Sequence, residues 1–182
     1  TKSTYIPNSF PYDETYFIKN NAGRTGNKVV WTGSVSTDKQ MHDIFRLSQK
    51  LQSIRPDLEF WYIPSFQVKE FTQALPEYNL TKAQILDVAG QKESRELVSQ
   101  CDIGLAIYDK NFGSTEFIEP IKVWEYMLCG IPFMLSCEAS INTAVKKAGI
   151  VYILGEDNKI DNDKSAAEFV SETTLLKISE KC

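Results

Sequence analysis

Two charged residues stand out between Pro120 and Pro132 in the stretch EPIKVWEYMLCGIP, residues 119–132. Lys122 and Glu125 lie one helical turn apart in a run that is otherwise apolar. Proline suits the first turn of a helix, where its missing N–H would have had no acceptor anyway. Gly130 and Pro132 then stop the helix and turn the chain into a strand. The N–H groups of Ile121, Lys122 and Val123 are left without intrahelical partners, at the positive end of the helix dipole. A diphosphate held on those groups would bring an adjoining ribose near Glu125, whose two oxygens can accept from a vicinal diol. The alternative is an i,i+3 ion pair between Lys122 and Glu125, contributing a few tenths of a kcal/mol. Ile121, Val123, Trp124, Tyr126, Met127 and Leu128 make the other faces apolar, so the two charges sit on a rim. Spacing alone leaves both readings open.

A second candidate is GSVSTDK, residues 33–39, at the junction of a predicted strand and helix. Gly33 would let a phosphate approach the backbone, the following N–H groups would attract it, and Lys39 in the first turn could reach it. The same residues also fit an ordinary turn in which Ser36 or Thr37 caps the helix. The loop lacks the further glycines of a GxGxxG dinucleotide fingerprint. Three other patterns carry less. Asp161–Asn162–Asp163 matches a bare D-x-D metal motif, but Asp161 or Asp163 is more simply the cap of the last helix. DNKIDND lacks the glycine and terminal glutamate of a calcium-binding loop. His42 falls on the first helix, where a surface position is expected rather than a general base in a cleft.

The elements that must position these residues alternate along the chain. Strands are predicted at 29–33, 58–63, 83–89, 103–109, 132–136 and 150–154. Helices are predicted near 38–53, 66–75, 92–101, 120–129, 139–148 and 163–179. Short, near-continuously apolar strands separated by helices imply a parallel sheet covered on both faces. Right-handed crossovers then give a doubly wound, Rossmann-like α/β sandwich of about six strands. Ligands of such sheets collect beyond the carboxyl ends of the strands, where both candidates fall.

Composition narrows the function. At 182 residues and 42% hydrophobic content, the chain suffices for one core. A net charge of −4 offers no basic footprint for nucleic acid and no polybasic patch for lipid headgroups. No apolar run approaches the ~20 residues of a membrane span, and TKSTYIPNSF has neither the basic nor the apolar region of a signal peptide. Cys101, Cys129, Cys137 and Cys182 show no CxxC spacing, and with one histidine in the chain a zinc site is not expected. The first three read as buried thiols of a reducing compartment. There the Asn79–Leu80–Thr81 sequon would have no meaning.

PIKVWEYMLCGIP resembles the P-x-K-x-x-E-Y-M-x-x-G-x-P signature of family 4-type glycosyltransferases of the two-domain GT-B fold. Three weaker segments follow the family's order: YIPNSF (5–10), VVWTGS (29–34) and ILDVAGQKESRELVSQCDIGL (85–105). The resemblance implies a donor-binding half, with 1–27 a linker from an absent N-terminal half and 28–182 the nucleotide-sugar-binding domain. It implies that Glu125 holds the ribose, that the amides after Pro120, those of Ile121 and Lys122 among them, hold the diphosphate, and that Lys39 is the phosphate-binding lysine beyond Gly33. Gly90 and Gln91 would lie near the base. Ser34 stands where the family often has arginine, and Phe117 where it has the first glutamate of E-x7-E. Glu116 and Glu119 flank that position, and Glu119 is taken as the catalytic carboxylate for the donor sugar.

The resemblance further implies a retaining, metal-independent transferase with no cofactor and a UDP- or GDP-sugar as substrate, serving bacterial surface polysaccharide assembly. It would be cytoplasmic, reaching the inner membrane face only through the missing acceptor-binding half, and inactive or nearly so without it. Two other readings share the architecture. One is a nucleotide-sugar epimerase, disfavoured by the shortage of histidines. The other is a non-catalytic interaction domain, favoured by Ser34 and Phe117.

Overall fold

Hydrophobic patterning separates the two faces of the sheet. Strand β1 (Lys28–Gly33) turns Val29 and Trp31 to one face and Val30 to the other, and each face has its own cluster of buried side chains. The computed structural model describes residues 24–109, 111, 121–136 and 143–171. The other strands are β2 (Glu59–Pro64), β3 (Ala83–Ile85), β4 (Ile103–Ala106), β5 (Phe133–Leu135) and β6 (Val151–Ile153). All pair in parallel, in the order β3-β2-β1-β4-β5-β6. The chain winds outward from β1 through β2 to β3, then restarts at β4 on the other side. The crevice of such a sheet opens where this direction reverses, between the carboxyl ends of β1 and β4.

Among the described residues six helices cover the sheet: α1 (Asp38–Ile54), α2 (Val68–Ala74), α3 (Gln91–Val98), α4 (Ile121–Leu128), α5 (Thr143–Ala148) and α6 (Asp163–Phe169). Helix α1 buries Met41, Ile44, Phe45 and Leu51 at helical spacing against Trp31, Phe60 and Tyr62. Phe71 of α2 stacks on Trp31 with ring centroids 4.8 Å apart, and Phe169 of α6 completes that face. On the opposite face Val98 of α3 and Val123 and Tyr126 of α4 pack against Val30, Ala106 and Phe133. Tyr126 donates its hydroxyl to the carbonyl of Leu105 at 2.9 Å, and its ring lies over Gly104. At the far end of α4, Arg24 donates to the carbonyls of Cys129 at 2.8 Å and Gly130 at 2.9 Å, taking up orphan acceptors of the helix terminus.

The elements follow the predicted order, and their ends differ for identifiable reasons. The strand expected over 83–89 stops at Ile85, one bond before Leu86 donates to Tyr62. The facing position on β2 is Pro64, which has no N–H with which to continue the ladder. The strand expected over 103–109 stops at Ala106, because side chains replace sheet partners. Tyr108 N–H donates to Ser136 Oγ at 2.7 Å, and Asp109 accepts from Thr37. The helix expected over 66–75 covers 68–74, and a 3-10 turn at Leu75–Tyr78 follows it. Helix α6 is described to Phe169, and the remainder of the helix expected over 163–179 lies beyond the described residues from 172 onward. Its cap is Asn162, whose side chain accepts from Ser165 N–H at 3.1 Å, and neither Asp161 nor Asp163. Cys101 and Cys129 are buried, and burial pushes the Cys129 thiol up to about 12. Cys137 and Cys182 lie outside the described residues.

A methyl group on residue 104 would overlap the Tyr126 ring. Gly104→Ala is therefore expected to cost about 1–3 kcal/mol through overpacking. Urea denaturation should show a lower midpoint at unchanged slope.

Candidate functional site

Gly33 ends β1 with φ +113, a backbone that L side chains rarely adopt. With no side chain there, Lys122 crosses the sheet edge, its Nζ 3.6 Å from where a β-carbon would sit. Lys122 Nζ then lies over two rings, 4.9 Å from the centre of Trp31 and 5.0 Å from that of Tyr108. Aromatic faces attract a cation that has lost part of its water. Burial still brings the amine down to about 8, against the opposing pull of Glu125.

The cleft around these residues has a volume of about 630 Å³. Thr32, Gly33, Ser34 and Ser36 form one margin, from the end of β1 and its loop. Val88, Ala89, Gly90, Gln91 and Ser94 form another, from the β3–α3 connection and the first turns of α3. Ile121, Lys122 and Glu125 of α4 close the third, with Ile63, Ser65, Gln40 and Tyr108 between. Thr32 and Ser94 hydroxyls meet at 3.2 Å on its floor.

Glu125 is 7% exposed, an uncommon setting for a carboxylate. Burial raises its pKa, and the charges of Arg95 and then Lys122 work against that rise. The Arg95 guanidinium reaches it from α3, with Nε 3.6 Å from Oε1. The Lys122–Glu125 relation is thus an electrostatic coupling inside a cleft rather than a surface ion pair.

The β1–α1 loop is less open to an anion than its sequence suggests. Val35 N–H donates to Gln67 Oε1 at 3.1 Å, and Ser36 N–H to Gln40 Oε1 at 2.7 Å. Thr37 caps α1 by accepting from Gln40 N–H at 3.1 Å. Lys39 does not line the cleft. It bonds Asp43 at 2.7 Å, a hydrogen bond that raises its pKa, and it borders a separate groove between α1 and residues 157–160.

The structure therefore brings together Gly33, Ser34, Gly90, Gln91, Ile121, Lys122 and Glu125 and leaves Lys39 apart. Glu116, Phe117, Glu119 and Pro120 lie outside the described residues. Sequence reasoning missed Arg95, Ser94, Thr32 and Tyr108. Ser94 carried a signal, as a small polar residue at an inward position of α3; Arg95 carried none, because its partner is thirty residues away. His42 is half-buried and its ring bonds the Tyr78 hydroxyl. Among the described residues no group of His, Cys, Asp and Glu is arranged to hold a metal ion, and no helix is long and apolar enough to cross a membrane.

No protein-family model matches the chain, and no curated protein sequence does. Solved structures do share its fold. WaaG, a glycosyltransferase involved in lipopolysaccharide biosynthesis, superposes with a TM-score of 0.59 at 16% identity, over 92% of this chain and 44% of its own. The C-terminal domain of a glycosyl transferase group 1 family protein, LpcC of Francisella tularensis, gives 0.59 at 13% identity, over 92% of this chain and 87% of that domain. A protein described as a UDP-N-acetylglucosamine 2-epimerase from Listeria monocytogenes gives 0.57 at 12% identity, over 94% of this chain and 42% of its own. The chain thus spans less than half of WaaG and of the Listeria protein, and nearly all of the separate C-terminal domain. Its fold is that of one half of a GT-B glycosyltransferase.

Carbon-13 NMR of labelled lysine should find the Lys122 amine titrating near 8, well below the ordinary value of 10.5. Because Glu125 holds that value up, Glu125→Gln is expected to lower it further.

Proposed function

We propose that this chain is the donor-binding domain of a retaining glycosyltransferase that moves a sugar from a nucleotide-sugar to an acceptor in bacterial surface polysaccharide assembly. The observation that carries this reading is the convergence of Lys122, Glu125 and the amino end of α4 on one cleft at the sheet's reversal point. In this reading Glu125 accepts from the ribose diol, and Gly90 and Gln91 flank the base. The first N–H groups of α4 and the Lys122 ammonium hold the diphosphate as it leaves, without a metal ion, a form of electrostatic preorganisation. Lys39 adds a second cation when it exchanges Asp43 for a phosphate oxygen, and Glu119 attends the donor sugar. The acceptor hydroxyl attacks from the face the diphosphate leaves, and a donor phosphate oxygen takes its proton. A cytoplasmic N-terminal half would supply the acceptor contacts, so this half alone binds nucleotide and transfers little.

The likeness to the Listeria protein favours a second reading, a nucleotide-sugar epimerase. Supplying a nucleotide-sugar to the chain joined with its N-terminal half separates the two. Acceptor-dependent release of free nucleotide is expected for transfer, and a change of sugar configuration without it for epimerisation.

Binding itself is tested by thermal shift against UDP, GDP, ADP and dTDP. The right nucleotide at 100 times its dissociation constant should stabilise the fold by about 2.7 kcal/mol. Glu125→Ala should weaken binding by about 1–3 kcal/mol in calorimetry, as for loss of a charged hydrogen-bond partner. Absence of any shift, or equal affinity of wild type and variant, would overturn the reading or the role of Glu125 respectively. The affinity should also fall several-fold from pH 7 to pH 9 as Lys122 loses its proton, and Lys122→Arg should remove that fall.

A further inference from the structure

Arg95 follows Ser94 on α3 but, unlike Ser94, does not line the cleft. It meets Glu125 with Nε 3.6 Å from Oε1, and both side chains are nearly excluded from solvent. Glu125 itself lines the cleft, whereas Arg95 does not. Among the described residues, few charged or titratable groups surround this carboxylate. Arg95 faces it from α3, Lys122 and Tyr126 neighbour it on its own helix, and Cys129 follows that helix's last residue. Arg24 lies beyond Cys129, bonded to that residue's carbonyl. Tyr108, after β4, lies against Lys122, its ring centre 5.0 Å from Nζ.

We propose that Arg95 is a positioning residue, which holds the Glu125 carboxylate ionised and leaves its cleft-side oxygen to accept from a nucleotide's ribose diol. The identity of the ligand rests on the reading above; the hold on Glu125 does not. A buried carboxyl group tends toward its neutral form, in which one oxygen becomes a donor and is lost as an acceptor. Among the described residues two cations oppose that tendency. Lys122 titrates near 8 and would be drawn toward a bound phosphate, whereas the Arg95 guanidinium keeps its charge and has no cleft ligand of its own.

The test uses Arg95→Met, which keeps an unbranched apolar stem without the charge, and Arg95→Lys, which keeps the charge. In the free protein, carbon-13 NMR of the Glu125 carboxyl should show a midpoint higher by about one pH unit or more in R95M, with R95K close to wild type. UDP affinity, by calorimetry from pH 5.5 to 7, below the range in which Lys122 titrates, should be nearly flat in wild type. In R95M it should be down about tenfold at the acid end and recover as the pH rises, because one pH unit of displacement is a factor of ten in protonation. Adding E125Q to R95M should abolish this pH dependence. An unmoved Glu125 midpoint in R95M overturns the proposal. So does an equal loss of affinity in R95M and R95K at every pH, which would mark a merely structural side chain. A shifted midpoint in a protein that binds none of the nucleotides sinks the ligand and keeps the hold on Glu125.

Discussion

Helix α4 can lie against strand β4 only because residue 104 has no side chain. The Tyr126 ring occupies that space, and its hydroxyl bonds the next strand residue's carbonyl. This contact sets how close α4 comes to the sheet and how far it turns about its own axis. Three residues before Tyr126 is Val123, pointing into the same apolar layer. With Val123 and Tyr126 committed to the core, Lys122 and Glu125 have one direction left to face. The charged pair is aimed at the cleft by the packing of its apolar neighbours.

That placement is electrostatically costly, and the surroundings offset the cost in different ways for the two residues. Lys122 exchanges water for two aromatic faces, which accept a cation but do not neutralise it, so its proton is loosely held. Glu125 exchanges water for guanidinium and ammonium neighbours. Both residues remain under-compensated for their burial, the condition in which an arriving ligand with phosphate oxygens and hydroxyls gains most. Perturbed ionisation of this kind is common at binding and catalytic sites.

Much of this arrangement was legible in the sequence, because it depends on local pattern. The period of the apolar residues distinguished strands from helices, and the lone charges in the α4 stretch marked its open face. What escaped was non-local. Pro64 ends β3, a different strand, by withholding an N–H. Gln67 and Gln40 fill the amides of the β1–α1 loop from two helices, so a loop that reads as an anion cradle is largely satisfied from within. Lys39 falls to Asp43, four residues on, a pairing that spacing allowed but could not rank above a phosphate. The cap of α6 was misplaced by one residue because Asn162 and its two aspartate neighbours are all good caps, and only the backbone turn selects among them.

Arg24 gives α4 a further property. A short helix, here about 12 Å long at 1.5 Å per residue, ordinarily presents opposite partial charges whose fields largely cancel a few ångströms away. The Arg24 guanidinium sits on the carbonyls at the carboxyl end and quenches the negative pole. Seen from the cleft, the far pole then subtracts less from the near one, so the positive potential of the amino end extends further into the cleft than the bare helix could project it.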